Sequence, residues 1–424
     1  MSEYKLICTT CGKEFTKDKV EYVCPSLHEP FGILKVQYDY KSIKKKFTPR
    51  YLKSCGFAGH ERYKDLLPLD DIGSLPPLKV GPTPLDPVKR VRARLKLKNL
   101  YIKNDTLLPT GSFKDRASSV VVAKARELKK EIITTASTGN AATALAGMSA
   151  SVGQKSVIFA PANAPKAKLT QIAAFGAKLI TVNGTYDEAF DLSIKAAEKF
   201  GWYNRSTGYN PYTIEGKKTA ALEIWEQLGT KAPDKVFIPT GDGAILSGTY
   251  KGFYDLHAMG LIEKIPQMIP VQAAGSAAIV NAISSGSRII TNLSKSETIA
   301  DSISVPKPAC GSFALKIVDE TKGFGITVTD DEIIHSIAEL ASLSGIFAEP
   351  AAAAAYAGLA KAVKLGKVAA DDLVVVIITG NGLKDIPAAM KAITIPDPIE
   401  PALEALTTGV LNTKCPTLIA KKPH

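Results

Sequence analysis

Lys114 stands at the start of a helical pattern, directly after the glycine-containing turn of PTGSFKDR (109–116). A lysine at this position lies at the positive end of a helix dipole, which lowers the pKa of its ammonium group. The neutral amine is the form that attacks a carbonyl carbon to make a Schiff base. Lys114 is therefore a candidate nucleophile toward an aldehyde, although an ordinary surface lysine in a turn is the commoner occurrence of this pattern.

A second turn, Ser137-Thr138-Gly139-Asn140, follows a strand pattern and precedes a helix pattern. Backbone N–H groups at such a helix start bind anions, for example an amino-acid carboxylate, and the hydroxyl groups can complete the site. Ser, Thr and Asn are also good helix N-caps, so a purely structural role for this turn is the alternative.

Two further turns place glycines at strand ends. The string TGDGAILSG (240–248) would let the backbone wrap closely around a phosphate, and the following helix adds its dipole. It has neither the GxGxxG of a dinucleotide site nor the Gly-Lys-Ser/Thr of a P-loop. Thr379 opens TGNGLKD (379–385), and its hydroxyl could bond a ring nitrogen without protonating it. A plain turn is the alternative for Thr379.

The four turns together match the polar groups of one molecule. They offer a lysine for an aldehyde, a glycine loop for a phosphate, a hydroxyl for a pyridine nitrogen and an asparagine for a phenolic oxygen. Pyridoxal phosphate carries all four groups and serves as an electron sink for carbanions. No His-Asp-Ser set, paired-carboxylate motif or HExxH competes with this interpretation.

Five ordered strings resemble blocks of the threonine synthase group within the fold-type II pyridoxal-phosphate enzymes. They are LLPTGSFKDR, ASTGNAATALA, NPYTIEGKKT, GIFAEPAAAAA and TGNGLKD. The GPTPL string (81–85) is similar to the entry segment of the same group. The resemblance runs from about residue 60 to 390. It implies a lyase of amino-acid biosynthesis that converts O-phospho-L-homoserine and water to L-threonine and phosphate.

The resemblance also implies individual roles. Lys114 would carry the cofactor as a Schiff base and move protons to and from the substrate carbons. Phe113 would lie near the cofactor ring, Asn140 would bond the 3′-oxygen, and Thr379 would face the pyridine nitrogen. Backbone donors to the cofactor phosphate would come from Gly241, Asp242, Gly243, Ala244 and Ile245. The substrate carboxylate would be bound by Ser137, Thr138 and Gly139.

The expected substrate-phosphate site departs from the family pattern. Thr213 stands where that pattern commonly has an arginine that contacts the substrate phosphate, and Gly208 replaces a nearby serine. Losing such a cation costs several kcal/mol of charge-assisted hydrogen bonding if nothing replaces it. Lys166, Lys168 and Arg205 are candidates to replace it. The departure leaves β-elimination or β-replacement, as in serine/threonine dehydratases or cysteine synthases, as the alternative reaction.

The first forty residues have a cysteine pattern of their own. Cys8 and Cys11 have the spacing of a zinc knuckle, and Cys24 adds a third thiol. Leu27 stands where a fourth cysteine is expected, with His28 beside it. A zinc site of Cys8, Cys11, Cys24 and His28 and a ribbon that has lost its metal are both open.

Short runs rich in Val and Ile alternate with helical patterns from about residue 99 onward. The predicted strands are 99–103, 131–137, 156–160, 177–182, 235–240, 267–274 and 373–380. Among the predicted helices are 115–130, 139–153 and 164–177. This alternation predicts an α/β protein with parallel sheets covered on both faces.

With the resemblance, we expect two doubly wound α/β domains of the tryptophan synthase β type and an N-terminal ribbon. The predicted divisions are a ribbon and basic arm at 1–60, an α/β domain with the Schiff-base lysine at 61–230, a larger domain with the phosphate loop at 231–395, and a tail at 396–424.

Composition is that of a globular protein, with 424 residues, 45% apolar and 22% charged. Six cysteines and the lack of a visible export signal predict a cytoplasmic location, and no apolar run predicts a membrane span. The net charge of +12 favours anionic partners. A nucleic-acid partner is not expected, because the basic string KRVRARLKLK (89–98) has no interleaved aromatic residue. The partners expected are a small phosphorylated amino acid and, from the resemblance, a second copy in a homodimer.

Overall fold

The computed structural model describes residues 4–29, 31–162, 164 and 166–406, with only the backbone of 166–168. Three sheets are present in this part of the chain. The strands are β1 (Tyr4–Cys8), β2 (Glu14–Thr16), β3 (Val23–Cys24), β4 (Gly32–Tyr38), β5 (Leu85–Asp86), β6 (Asn99–Asn104), β7 (Ile132–Ala136), β8 (Lys155–Pro161), β9 (Lys178–Val182), β10 (Tyr203–Asn204), β11 (Lys235–Pro239), β12 (Gln267–Ala273), β13 (Ile326–Val328) and β14 (Leu373–Ile378).

The helices cover both faces of the two larger sheets. They are α1 (Tyr40–Lys44), α2 (Pro49–Ser54), α3 (Lys89–Leu95), α4 (Lys114–Glu127), α5 (Asn140–Ala150), α6 (Lys166–Ala174), α7 (Tyr186–Phe200), α8 (Tyr212–Lys217), α9 (Thr219–Gln227), α10 (Ala244–Ala258), α11 (Ala278–Ser284), α12 (Gly311–Glu320), α13 (Asp330–Ser344), α14 (Pro350–Lys364) and α15 (Ile386–Met390). Among the residues described, no helix has the length and apolar content needed to cross a membrane.

The largest sheet has six strands in the order β13-β12-β11-β14-β6-β5, and only the β5–β6 pair is antiparallel. Its central strands are nearly continuous runs of buried Val and Ile, which is typical of a parallel sheet with both faces covered. The alanine run of α14 lets that helix approach the sheet closely. At Gly358 of α14 an added Cβ would lie 2.5 Å from a Val271 methyl, so the contact requires glycine.

The second sheet is smaller and wholly parallel, in the order β10-β7-β8-β9. An antiparallel sheet in the order β2-β1-β4-β3 forms the N-terminal ribbon. Buried phenols join this ribbon to the helices of the main body. The hydroxyls of Tyr4 and Tyr212 lie 3.0 Å apart, and Tyr38 donates to Glu215 at 2.6 Å.

All seven predicted strands are confirmed, as are the three predicted helices. The short strands β5, β10 and β13 were not predicted. The strands are not divided between the sheets as the predicted domain divisions would suggest. Strands β5 and β6 (85–104) belong to the sheet whose other strands come from 235–378. The divisions at residues 60, 230 and 395 therefore stay predictions.

Candidate active site

Lys114 is the first residue of α4 and lies where the carboxyl ends of β6 and β14 meet. Backbone hydrogen bonds join the turns around it. Phe113 N donates to Thr379 O at 2.8 Å, and Asn381 N donates to Gly111 O at 3.0 Å. These bonds bring the lysine turn against the TGNGLKD turn, two of the four turns that the sequence placed in one site.

The electrostatic surroundings of Lys114 favour its neutral amine. Burial lowers the pKa of Lys114 and the charge of Arg205 lowers it further, whereas the carboxylates of Asp242 and Glu349 raise it. No carboxylate of the described part lies within ion-pair distance of its ammonium group. The structure thus agrees with the pKa argument made from the helix start, with burial as the main cause.

Asn140 begins α5 at the end of β7 and faces the same region from the second sheet. Its Nδ2 donates to both carboxylate oxygens of Glu349, at 2.8 and 3.1 Å. Glu349 N in turn donates to Gly380 O at 3.0 Å. Of the turn before α5, Ser137 Oγ accepts from Gly139 N at 3.2 Å, and Ser137, Thr138 and Gly139 are half-buried. Glu349 therefore links the Asn140 turn to the Thr379 turn.

Gly241 and Gly243 of the predicted phosphate loop are enclosed by backbone. A Cβ at Gly241 would lie 3.0 Å from Ile303 Cα, and one at Gly243 would lie 3.1 Å from Cys310 O. Gly243 also has φ of +90°, which a larger residue adopts only with strain. The loop leads directly into α10, whose first residues are Ala244 and Ile245.

Asp242 places a carboxylate in this loop. Its Oδ1 accepts the Ala244 N–H at 3.0 Å, and its own carbonyl accepts Cys310 N at 2.8 Å. The Asp242 side chain thus binds the N–H of the first residue of α10, and its charge raises the pKa of Lys114. The Asp242 carboxylate also raises the pKa of Arg205 and of Lys217, so it stabilises the charged forms of the cationic side chains around it.

The side chains of Phe113 and Thr379 differ in whether they interact with neighbouring side chains. The Phe113 ring is buried, with the Arg116 guanidinium 5.6 Å from its centroid. The Thr379 side chain is also buried, and its hydroxyl makes no hydrogen bond to another described residue. Thr379 therefore has a hydrogen-bonding group to offer a ligand.

The structure describes only some of the side chains predicted for the substrate phosphate. Thr213 is fully buried in α8, and its hydroxyl donates to Asn210 O at 2.8 Å. The side chains of Lys166 and Lys168 lie outside the described part. Arg205 is fully buried at the end of β10, beside Ser118 and Thr207.

Two residues of this region were missed by the sequence reasoning. Lys217 is fully buried four residues after Thr213, and Glu349 binds Asn140. Both lie in strings that carried the resemblance, NPYTIEGKKT and GIFAEPAAAAA. The available signal was the i,i+4 spacing of Lys217 from Thr213, which places both on one face of a helix.

The second residue after Lys114 holds α4 in place. Arg116 binds Asp105 at 2.6 Å and Glu223 at 2.6 Å, and both partners are fully buried. Gly216 of α8 allows the two helices to touch, because a Cβ there would lie 2.0 Å from Arg116 O. The start of α4 is therefore fixed by an ion network on one side and by helix contact on another.

The four candidate zinc ligands converge at the tip of the ribbon. The Cys8, Cys11 and Cys24 sulfurs and a His28 ring nitrogen all lie within 4.8 Å of one another. Cys11 Sγ and Cys24 Sγ are 3.8 Å apart, and Cys8 Sγ and His28 Nε2 are 3.6 Å apart. A tetrahedral zinc ion gives edges of about 3.8 Å between sulfurs and about 3.5 Å between sulfur and nitrogen.

Comparison with known proteins defines the class first. A family model described as pyridoxal-phosphate dependent enzyme matches residues 77–380. The chain is similar to the threonine synthase of Methanocaldococcus jannaschii, with 38% identity over 93% of this chain and 96% of that protein. It is 36% identical to the threonine synthase of Methanosarcina acetivorans, over 96% of this chain and 99% of that one. The chain thus belongs to the fold-type II pyridoxal-phosphate enzymes and, among them, to the threonine synthase family.

Solved structures agree on the fold. The processed form of threonine deaminase isoform 2 from Solanum lycopersicum superposes with a TM-score of 0.61 and 26% identity. It covers 70% of this chain, and the match includes 78% of that protein. The predicted fold class is confirmed, and the high identity to threonine synthases favours that family over the dehydratase alternative.

Proposed function

We propose that this chain converts O-phospho-L-homoserine and water to L-threonine and phosphate, with pyridoxal phosphate held at Lys114. The relatives support the reaction, since the chain matches threonine synthases over nearly their whole length. The observation that carries the site is the position of Lys114, a half-buried lysine with a lowered pKa where the glycine loop, the Asn140 turn and the Thr379 turn converge.

The residues present fit the cofactor. Gly241 and Gly243 form a cradle that any side chain would fill, and the start of α10 adds the positive end of a fifteen-residue helix. The Thr379 hydroxyl has no protein partner among the described residues and could bond a pyridine nitrogen. We infer that Gly241 to Ile245 would hold the phosphate and that Phe113, Asn140 and Thr379 would orient the ring.

When bound, pyridoxal phosphate withdraws electrons from the substrate carbons and so makes their protons removable. Lys114 Nζ, whose pKa is lowered by burial, could accept a proton from one carbon and return it to another. Backbone N–H groups at the start of α5 and the hydroxyls of Ser137 and Thr138 would bind the substrate carboxylate. The Glu349 carboxylate would hold the Asn140 amide in place.

Phosphate release from O-phospho-L-homoserine by the cofactor-loaded protein tests this function, with the products separated by chromatography. Threonine and phosphate in equal amounts are expected. Absence of threonine, together with 2-oxobutyrate from threonine or a new product from phosphoserine and sulfite, would contradict the proposed reaction.

We also propose that Cys8, Cys11, Cys24 and His28 bind one structural zinc ion. The two measured ligand separations agree with the edges of a zinc tetrahedron. Gly32 leaves room for the ligands, because a Cβ there would lie 2.4 Å from the His28 ring. Metal analysis of the purified protein should find about one zinc per chain; a protein that folds and stays active without zinc would contradict this proposal.

The assembly and the location of the protein are inferred from the resemblance and the composition. We infer a homodimer, because the related enzymes resembled are usually dimers, and a cytoplasmic location, because cysteines are few. Sedimentation at several protein concentrations and cell fractionation test the two inferences. A monomer at micromolar concentration, or enrichment outside the cytoplasm, would contradict them.

A further inference from the structure

Lys217 and Arg205 differ from the other buried cations of the described residues. Both are fully buried, and neither has a carboxylate within ion-pair distance. The other buried lysines and arginines all pair with carboxylates: Lys103 with Glu223, Arg116 with Asp105 and Glu223, Lys124 with Glu127, Lys218 with Glu215 and Asp255, and Lys251 with Asp255. Because an unpaired buried charge is costly, these two cations are candidate ligands for an anion.

The hydrogen-bonding groups of the two side chains are only partly used. The Lys217 ammonium has one contact, with Thr213 O at 3.4 Å. Arg205 donates from Nε to Ser118 at 3.2 Å and from Nη1 to Thr207 at 2.6 Å, but its Nη2 has no partner. Buried donors without partners are rare in folded proteins, and a bound ligand is one reason for them.

The two cations lie near each other and near Lys114. Burial lowers the pKa of Lys217 well below its usual value, and the charges of Arg205 and Lys114 lower it further, while Asp242 raises it. Burial lowers the pKa of Arg205 to about 10, and Asp242 opposes that shift as well. The two cationic side chains thus lie close to the proposed catalytic lysine, and a phosphate monoester with nearly two negative charges would interact favourably with both.

Lys217 also lies close to position 213, where this chain has threonine in place of the arginine common in the family. Thr213 and Lys217 are four residues apart on α8, so they share one face of the helix. The contact with Thr213 O shows that the Lys217 ammonium turns back beside position 213. The cofactor phosphate already has donors in the glycine loop and the start of α10, which leaves these two cations for a second phosphate.

We propose that Lys217 and Arg205 bind the phosphate group of the substrate and replace the arginine expected at position 213. This inference rests on the proposed function, because it takes the substrate to be a phosphate monoester. Lys217 supplies an ammonium charge, and Arg205 supplies the free Nη2 donor. Since only the phosphorylated substrate and released phosphate would occupy this site, the pair is a determinant of substrate specificity.

Lys217→Met tests the proposal, because methionine keeps most of the volume and removes the charge. In the cofactor-loaded protein the KM for O-phospho-L-homoserine and the dissociation constant for inorganic phosphate should both rise about 10- to 100-fold, the loss of one charge-assisted hydrogen bond. The dissociation constant for pyridoxal phosphate should change less than about threefold, because its own donors remain. Lys217→Arg should restore most of the phosphate affinity. Lys195→Met removes an exposed charge from α7 and is the control.

A stability measurement separates binding from a structural role. Because Lys217 has no ion-pair partner in the part of the chain that the structure describes, Lys217→Met should not lower the thermal midpoint of the cofactor-free protein. A fall of several degrees would indicate a structural lysine and would overturn the proposal. Lys217→Gln, which keeps a polar group, serves as the second variant if the methionine variant does not fold.

The outcomes distinguish this proposal from the proposed function. An active wild type whose KM and phosphate affinity are unchanged by Lys217→Met overturns the role of Lys217 and leaves the function intact. Loss of cofactor affinity with unchanged phosphate affinity would also overturn it, since the pair would then serve the cofactor phosphate. If the wild type does not turn over O-phospho-L-homoserine, the function fails. Calorimetric titration of wild type and Lys217→Met with inorganic phosphate still decides whether Lys217 binds a phosphate group.

Discussion

Glu223 should be one of the most sensitive residues of this protein, although it does not face the substrate. Its carboxylate lies 2.6 Å from both Arg116 and Lys103, and it accepts Thr83 N at 3.0 Å. All the side chains of this network are buried. Arg116 stands two residues after Lys114, so the network fixes the start of α4 against α9 and β6. Glu223→Gln keeps the shape of the side chain and removes the charge that both cations need.

The magnitude follows from the pKa of Glu223. Burial raises that pKa, but the charges of Arg116 and Lys103 outweigh burial and lower it from its ordinary 4.5 to about 2. A difference of this size corresponds to about 3 kcal/mol of folding free energy at pH 7. The range of about 3 to 5 kcal/mol for breaking a buried ion pair agrees. Because the folded pKa lies below the unfolded one, the contribution is complete above pH 4.5 and falls to about 1 kcal/mol at pH 3.

Urea unfolding of wild type and Glu223→Gln, each followed by circular dichroism at pH 7 and at pH 4 to 3, measures this difference. Glu131→Gln is the control, because the Glu131–Lys155 pair is exposed to solvent, which screens it, so its loss should barely change the free energy of unfolding. A Glu223→Gln variant as stable as the control at pH 7 would refute the reasoning. So would a stability difference that does not shrink as the pH falls.

Four further changes test other parts of the account. Lys114→Ala should lose the visible absorbance of bound cofactor and keep the wild-type unfolding midpoint, since Lys114 has no ion-pair partner among the described residues; a variant that retains the absorbance would exclude Lys114 as the binding lysine. Cys24→Ser should lower the zinc content measured by atomic absorption to well below one per chain, and an unchanged content would exclude Cys24 as a ligand. Thr329→Ala removes the N-cap of α13, whose hydroxyl accepts Glu332 N at 3.1 Å, and should lower the free energy of unfolding by about 1 kcal/mol in urea. Gly216→Ala should sharply reduce the yield of folded protein seen by circular dichroism, because its Cβ would meet the Arg116 carbonyl; a normal yield would show that the two helices can separate at little cost.

The elements with strong local signals could be predicted from the sequence. The strand over 373–380 is a run of Val and Ile that buries both faces, and the structure has β14 at Leu373–Ile378. The short strands β10 and β13 have two and three residues, and their pairing depends on neighbours distant in the chain. Such segments form because the sheet is already present, so local pattern does not reveal them.

The candidate site shows the same limit. The position of Lys114 at a helix start could be read from its turn, and the structure adds burial as the main reason for its lowered pKa. The pairing of Asn140 with Glu349 joins residues 209 apart in the chain. The lack of a carboxylate partner for Lys217 in the described part of the chain could not be predicted either. Two adjacent lysines, Lys217 and Lys218, are most simply interpreted as solvent-exposed charges. Only the folded chain shows that Lys218 has carboxylate partners and that Lys217 has none among the described residues.

The proposed function depends most directly on Lys114 as the residue that holds pyridoxal phosphate. Lys217 is the strongest competitor, because it is fully buried, lies near Lys114 and has a pKa that burial lowers. Reduction of the cofactor-loaded protein with borohydride, followed by digestion and mass spectrometry, fixes the cofactor to the lysine that carries it. We predict that the pyridoxyl group will be on the peptide that contains Lys114. A pyridoxyl group on Lys217, or on any other lysine, would contradict it.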